Sequence, residues 1–335
     1  MSQPISSSVT LPLESTLRDI YPLITSLRPN WSPSNLRLYQ LIGGINNTAF
    51  GIYSESDRSD TLVIKIYGFK TEEFIDRYHE KTILSTLVNH GLAQPVLLQF
   101  TNGIIYKFIP GSVCTENYIR NIRIAPLIAR HLAKLHSIPL ENQYHEPCLM
   151  PLIKKFVKLI ITNHKHYPED FVSLCSDIDC IEKDLLPSMF PNPRYGIDLV
   201  LCHNDLACTN ILYNASSQTI SFIDFEYSAI NYALFDIANH FVEYVGVDQM
   251  NFDRCPTRNE QYHWLKIYFQ ARKLSFDDPE KTYRQIEQFS ALAHLCYGLW
   301  AFAQVAFATV EHEYLSYGQR RLNRYKEMRS MLFNR

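Results

Sequence analysis

The sequence predicts an α+β chain of two parts, a smaller strand-rich N-terminal part and a larger helical C-terminal part. Three observations predict it. Residues up to about 111 carry short runs of Ile, Leu, Val, Phe and Tyr separated by Gly, Asn, Asp and Ser, which is strand spacing. Residues beyond about 112 carry long stretches with apolar positions three and four apart, which is helix spacing. At 335 residues and 46% hydrophobic content the chain is large enough for two cores.

The strands fall at 36–42, 48–53, 62–67 and 104–109. The segment 72–89 interrupts them with Phe74, Ile75, Ile83, Leu84, Leu87 and Val88 at helical spacing. Pro110-Gly111 closes the strand-rich part, so the division is placed at 1–111 and 112–335. Beyond it, Ile124, Ile128, Leu132 and Leu135 mark a helix that Ser137-Ile138-Pro139 ends. Residues 199–224 are the exception in the helical part: short apolar runs around polar loops, with a turn at 214–218, read as a hairpin. Residues 291–310 are apolar and long enough to be tested as a membrane span. His294 and Gln304 interrupt them, and a buried helix is expected instead.

Charge and cysteine usage exclude some classes of function. Lys and Arg number 32 against 34 Asp and Glu, so no overall basic field favours nucleic acid or an anionic membrane. Eight cysteines are scattered without a C-x-x-C pair, which argues against zinc and for reduced thiols in the cytoplasm. The basic run Arg320, Arg321, Arg324, Lys326, Arg329 has helical spacing and reads as a solvated helix face.

Chemistry concentrates at His203-Asn204-Asp205, Asn210 and Asp224. Transfer of a γ-phosphoryl group to an alcohol needs a carboxylate beside the hydroxyl and oxygen ligands for Mg²⁺. On the expected hairpin, Asp205 lies on a loop, Asn210 opens a strand and Asp224 ends the returning strand, so three oxygen donors meet at one end. The order parallels the H-R-D…N…D-F-G logic of protein kinases, with Asp205 as base and Asn210 and Asp224 as metal ligands.

The stretch LCHNDLACTNILYN…ISFIDFEYSAINYALFDIANHFVEY resembles the choline/ethanolamine kinase family. The likeness continues in GGINNTAF, VIKIYGFKTEEFIDRYHE, NGIIYKFIPG, HLCYGLWAFAQ and EYLSYGQRRLNRY, from about residue 40 onward. It implies a two-lobed, protein-kinase-like fold, with ATP held by the small lobe and the acceptor by the helical one. It implies a phosphate-covering turn at Gly43, Gly44, Ile45, Asn46 and Asn47. It also implies a phosphate-binding Lys65, paired with Glu80 or with Asp76 one helical turn away. Asp236, in FDI-x-NH, is expected to brace the catalytic loop rather than touch substrate.

By the same resemblance Asp205, Tyr227, Glu243, Tyr297, Trp300 and Tyr317 form the acceptor pocket for a cationic amino alcohol. Tyr297 stands where the family commonly has a tryptophan, and Asp248 falls near an aromatic position of the choline-binding type. Fewer ring faces favour a primary ammonium over trimethylammonium, which tilts the expectation to ethanolamine kinase activity, the first step of phosphatidylethanolamine synthesis, over choline kinase activity. KTEEFIDRYHE tilts it the same way. Expected cofactors are ATP and Mg²⁺; a homodimer is compatible with the resemblance, and stable membrane insertion is not expected. An aminoglycoside phosphotransferase would share the H-x-D…N…D chemistry but not the aromatic set. A pseudokinase would lack one of Asp205, Asn210 and Asp224, and all three are present.

Overall fold

The computed structural model describes residues 4–41, 47–140, 146–246, 250–307 and 311–333. The chain divides into two compact units, Met1–Ser112 and Val113–Arg335.

The first unit is a six-stranded sheet with strand order β1-β5-β6-β4-β3-β2. The strands are β1 (Ile5–Ser6), β2 (Leu36–Gln40), β3 (Asn47–Ser54), β4 (Asp57–Tyr67), β5 (Val96–Phe100) and β6 (Gly103–Lys107). All neighbours are antiparallel except β1 and β5. Along β4 the side chains alternate, so Leu62, Ile64 and Ile66 enter the core and Lys65 stands on the other face. Helix α1 (Leu17–Leu27) closes that core with Ile20, Leu23 and Ile24 at i, i+3 and i+4.

Helix α2 (Arg77–Asn89) begins later than the apolar spacing suggested. The chain makes a 3-10 turn at Thr71–Glu73, and Asp76 then caps the helix by accepting the N–H groups of Tyr78 and His79, each at 3.0 Å. Phe74 and Ile75 are buried, as their apolar character requires, but ahead of the helix.

β7 (Ser112–Val113) leads into the second unit, whose helices are α3 (Glu116–Ile119), α4 (Ala125–Leu135), α5 (Leu149–Asn163), α6 (Phe171–Cys180), α7 (Leu186–Met189), α8 (Ala233–Val242), α9 (Arg258–Ala271), α10 (Pro279–Gln304), α11 (Glu311–Met328) and α12 (Ser330–Phe333). Between α7 and α8 lie β8 (Leu199–Cys202), β9 (Ile211–Asn214), β10 (Thr219–Phe222) and β11 (Ala229–Tyr232). β9 and β10 form the expected hairpin; its turn is fixed by Asn214 Oδ1, which accepts the N–H groups of Ser216 and Ser217. β8 and β11 pair antiparallel beside it.

α10 packs against α5, α8 and α11 and is buried from Ala291 through Gln304. Among the described residues no helix is long and apolar enough to cross a membrane. Gly298 sets how closely α11 can approach, because a Cβ there would meet Leu322 Cδ2 at 2.7 Å. Gly318 does the same from the other side, against Phe302 Cδ2 at 2.8 Å.

One residue of the basic run, Arg321, leaves the solvated face, and others find acidic partners there. Arg321 is fully buried and ion-paired with Glu243, and Arg329 pairs with Asp177 at 2.6 Å. Lys326 reaches Asp170 at 2.8 Å. Helical spacing alone could not reveal these partners, which are contributed by distant segments.

Candidate active site

The loop after β8 carries the chemistry, and one buried acid organises it. Asp236, in the first turn of α8 and with no exposure, accepts the backbone N–H of His203 at 2.7 Å on Oδ2 and that of Asn204 at 2.8 Å on Oδ1. His136 Nε2 also reaches Oδ2, at 3.0 Å. Burial alone would raise the Asp236 pKa, but the His136 bond and the donors from the loop hold it below the usual carboxylate range. Burial drives His136 the other way, toward the neutral form. Its Nε2–H therefore donates to Asp236, and its Nδ1 accepts from the Tyr268 hydroxyl at 2.6 Å. Arg272 donates to that hydroxyl at 2.8 Å, so the loop hangs from a chain of four buried or half-buried side chains.

His203 ties the loop to the hairpin. Burial keeps the ring neutral; Nε2–H donates to the Ile223 carbonyl at 2.9 Å and Nδ1 accepts the Asp205 N–H at 3.3 Å. Asn204 adopts a left-handed backbone, φ 65°, which Asn tolerates better than most residues. Its side chain donates to the Tyr227 carbonyl at 2.9 Å and accepts from Asn231 at 2.8 Å. Its own carbonyl takes a bond from Asn239 and another from the Tyr297 hydroxyl.

These anchors present Asp205. Asn210 Nδ2 donates to the Asp205 carbonyl at 2.8 Å and to Oδ2 at 3.1 Å, so its side-chain Oδ1 is the oxygen that could ligate a metal. Asn210 O accepts the Ile223 N–H at 3.0 Å, so the end of the hairpin places Asp224 next to Asn210 as its spacing implied. Asp224 is also left-handed, φ 63° and ψ 61°, a conformation that functional sites tend to hold at some cost. Burial, then the charges of Glu243, Asp224 and Glu226, push the Asp205 carboxyl up to about 8, with the Asn210 bond opposing them. Four carboxylates this close favour cations, and their hard oxygen donors suit Mg²⁺. Glu226, two residues past Asp224, belongs to this cluster and could have been found from its D-x-E spacing.

The expected acceptor residues gather around the same carboxylate. Trp300 Nε1 donates to the Tyr227 hydroxyl at 2.8 Å, and the Trp300 and Tyr317 rings meet edge to face at 6.2 Å. Glu243 is buried and bound through Oε1 to Arg321, whose Nε donates to the Tyr317 hydroxyl at 2.9 Å. Arg321 is the residue that sequence reasoning misplaced. Tyr297 lies here too, but its hydroxyl donates to the Asn204 carbonyl, into the loop. Asp248 lies outside the described residues.

In the first unit, Lys65 is opposite Ala49 and Ile104 in the sheet and is buried to 8% exposure. Its Nζ is 3.6 Å from Glu80 Oε1, whereas Asp76 is engaged as the cap of α2. Arg77, unforeseen, holds the other Glu80 oxygen at 2.8 Å, reaches Thr71 Oγ1 at 2.7 Å and stacks over Tyr67 at 3.8 Å. The D-R-x-x-E spacing is therefore a cap, a clamp and a charge partner on successive faces of one turn. Asn47 opens β3 opposite Tyr67, and its Oδ1 accepts the Gly68 N–H at 3.4 Å. Gly43, Gly44 and Asn46 lie outside the described residues.

The description "Choline/ethanolamine kinase" matches residues 38–326 as a family model. The chain belongs to the choline/ethanolamine kinase family. Ethanolamine kinase 1 of Homo sapiens is 35% identical over 322 residues, 92% of this chain and 70% of that protein. Ethanolamine kinase 2 of Mus musculus is 32% identical over 324 residues, 95% of this chain and 83% of that one. Among solved structures, an ethanolamine kinase of Plasmodium vivax superposes with a TM-score of 0.80 at 27% identity, covering 95% and 92% of the two chains. The fold is accordingly the two-lobed one of this kinase family, and as a member of it the chain uses ATP and acts on a small molecule.

Proposed function

We propose that this protein transfers the γ-phosphoryl group of ATP to the hydroxyl of ethanolamine, giving phosphoethanolamine for phosphatidylethanolamine synthesis. The observation that carries it is Asp205, fixed by Asn210 and by the Asp236-held loop, beside three further carboxylates and the Tyr227, Trp300 and Tyr317 rings. That the curated relatives named above are ethanolamine kinases supports the choice of acceptor.

In this reading the acceptor oxygen attacks the γ-phosphorus, the bond to the bridging oxygen of ADP breaks, and the hydroxyl proton passes to Asp205. Asn210 and Asp224 would hold Mg²⁺, which neutralises phosphate charge when bound. Glu243 draws the ammonium, Lys65 is assigned to the nucleotide phosphates, and Glu80 keeps its ammonium in place. The eight cysteines carry no C-x-x-C pair and read as reduced thiols, and we place the reaction in the cytoplasm.

A second reading, choline as acceptor, is favoured by the edge-to-face Trp300 and Tyr317 rings, since ring faces attract a quaternary ammonium. The deciding experiment is ADP release by purified protein with Mg-ATP and either ethanolamine or choline. Faster turnover with ethanolamine is expected; faster turnover with choline exchanges the two readings. Asp205→Ala should abolish transfer while ATP still binds, and retained turnover would refute its assignment as the base.

A further inference from the structure

We propose that Arg321 is a positioning residue of the acceptor site: its buried guanidinium presets the Glu243 carboxylate and the Tyr317 ring before the ammonium of the acceptor arrives. The inference rests on the function proposed above and adds a residue that the family pattern of pocket rings and carboxylates did not supply.

Arg321 has no exposed surface, and its donors go to three different partners. Nη2 is ion-paired with Glu243 Oε1. Nε donates to the Tyr317 hydroxyl at 2.9 Å, and Nη1 meets His294 Nδ1 at 3.4 Å. The guanidinium carbon also lies 5.1 Å from the centre of the Tyr317 ring. A planar fork can satisfy such a set at fixed angles, and a lysine ammonium on a flexible stem does not reproduce it. The close approach at Gly298, where a Cβ would lie 3.3 Å from Arg321 Cβ, puts the guanidinium at this depth.

The consequence is geometric and electrostatic. Arg321 takes Oε1 of Glu243 and so fixes which oxygen faces the pocket. It also half-neutralises the carboxylate, so that Glu243 acts as a directed acceptor of hydrogen bonds from an ammonium. By holding the Tyr317 hydroxyl it keeps that ring edge-on to Trp300. A buried ion pair that only joined α11 to the turn after α8 would stabilise the fold without distinguishing one substrate from the other.

The test is steady-state kinetics of Arg321→Lys, Arg321→Met, Glu243→Gln and the double variant Arg321→Met/Glu243→Gln, each with its thermal midpoint. The expected result is a rise of about 30-fold or more in the KM for ethanolamine for both Arg321 variants, with the KM for ATP within about twofold and kcat within about fivefold. The double variant should lose less than the product of the two single losses, since both changes remove the same preset carboxylate and only Arg321→Met also releases the Tyr317 hydroxyl. A folded Arg321 variant whose acceptor KM stays within about threefold of wild type overturns the proposal, as does a parallel rise in both KM values. Failure of both Arg321 variants to fold also overturns it, leaving a structural ion pair. Absence of wild-type turnover with either amino alcohol would instead sink the proposed function itself.

Discussion

Replacing Asp236 by Asn removes one charge from behind the catalytic loop and keeps the shape of the side chain. The amide oxygen can sit where Oδ2 now lies and go on accepting from the His203 N–H and from His136. The amide nitrogen then faces the Asn204 N–H, donor against donor, where Oδ1 had accepted at 2.8 Å. An orphaned buried N–H costs about 1–3 kcal/mol, and each of the two remaining bonds weakens by about 1 kcal/mol when its acceptor is no longer charged. Relief of the buried charge returns part of this, leaving roughly 2–4 kcal/mol. The loss falls on the residue just before Asp205. If it is expressed in the position of the base, kcat drops between about 30-fold and 900-fold at 1.36 kcal/mol per factor of ten. The assay is kcat and both KM values at saturating Mg-ATP, with urea unfolding on the same sample. An Asp236→Asn protein within about threefold of wild-type kcat, and with an unchanged unfolding midpoint, would refute the brace.

Three further outcomes follow from the same geometry. Tyr297→Phe removes one of two bonds to the Asn204 carbonyl, the other being that of Asn239, and should lower kcat by about fivefold, the equivalent of about 1 kcal/mol; an acceptor KM effect without a kcat effect would return Tyr297 to the pocket wall. Arg77→Met frees one Glu80 oxygen and should raise the KM for ATP by about tenfold while leaving the KM for ethanolamine alone, which nucleotide titration checks. His131, edge-on to Phe222 with a buried Nε2 that has no hydrogen-bond partner, has its pKa lowered to about 4, chiefly by burial. Its folded pKa is below the unfolded value of 6.5, so the stability it supports is whole above about pH 6.5 and is lost as pH falls toward 4, at up to about 1.4 kcal/mol per unit. His131→Phe should flatten that limb of the stability profile by up to one proton's slope, and an unchanged slope would refute the assignment.

The placement of the candidate site residues was legible in the sequence because it is local. Asp205, Asn210 and Asp224 sit at the foot of one hairpin, and a turn of fixed length brings them together whatever the rest of the chain does. Asp236 was reached through the family resemblance, and the structure supplies the donors that a buried carboxylate in the first turn of an apolar helix needs, the N–H groups of His203 and Asn204. Helix α1 and strands β1 and β5 were not legible. β1 has two residues, and β5 is a five-residue run whose place in the sheet comes from pairing with β6 on one side and β1 on the other.

The charged residues show where reading along the chain fails. Arg321 was placed on a solvated face because its neighbours Arg320 and Arg324 repeat at helical spacing, yet its partner Glu243 lies 78 positions earlier. Arg77 lies three residues from Glu80 and was equally unforeseen as a clamp, since only the fold shows that Tyr67 and Thr71 enclose it. A charge on a helix is cheap when water solvates it and costly when it is buried alone, so its burial depends on a partner that spacing cannot name. Tyr297 makes the same point for a polar aromatic residue. Its ring lies in the acceptor region as the pattern implied, while its hydroxyl serves the carbonyl of Asn204, which links the wall of the pocket to the residue before the base. Substitutions there should therefore change acceptor choice and turnover together, unlike those at Arg321, which should change acceptor affinity alone.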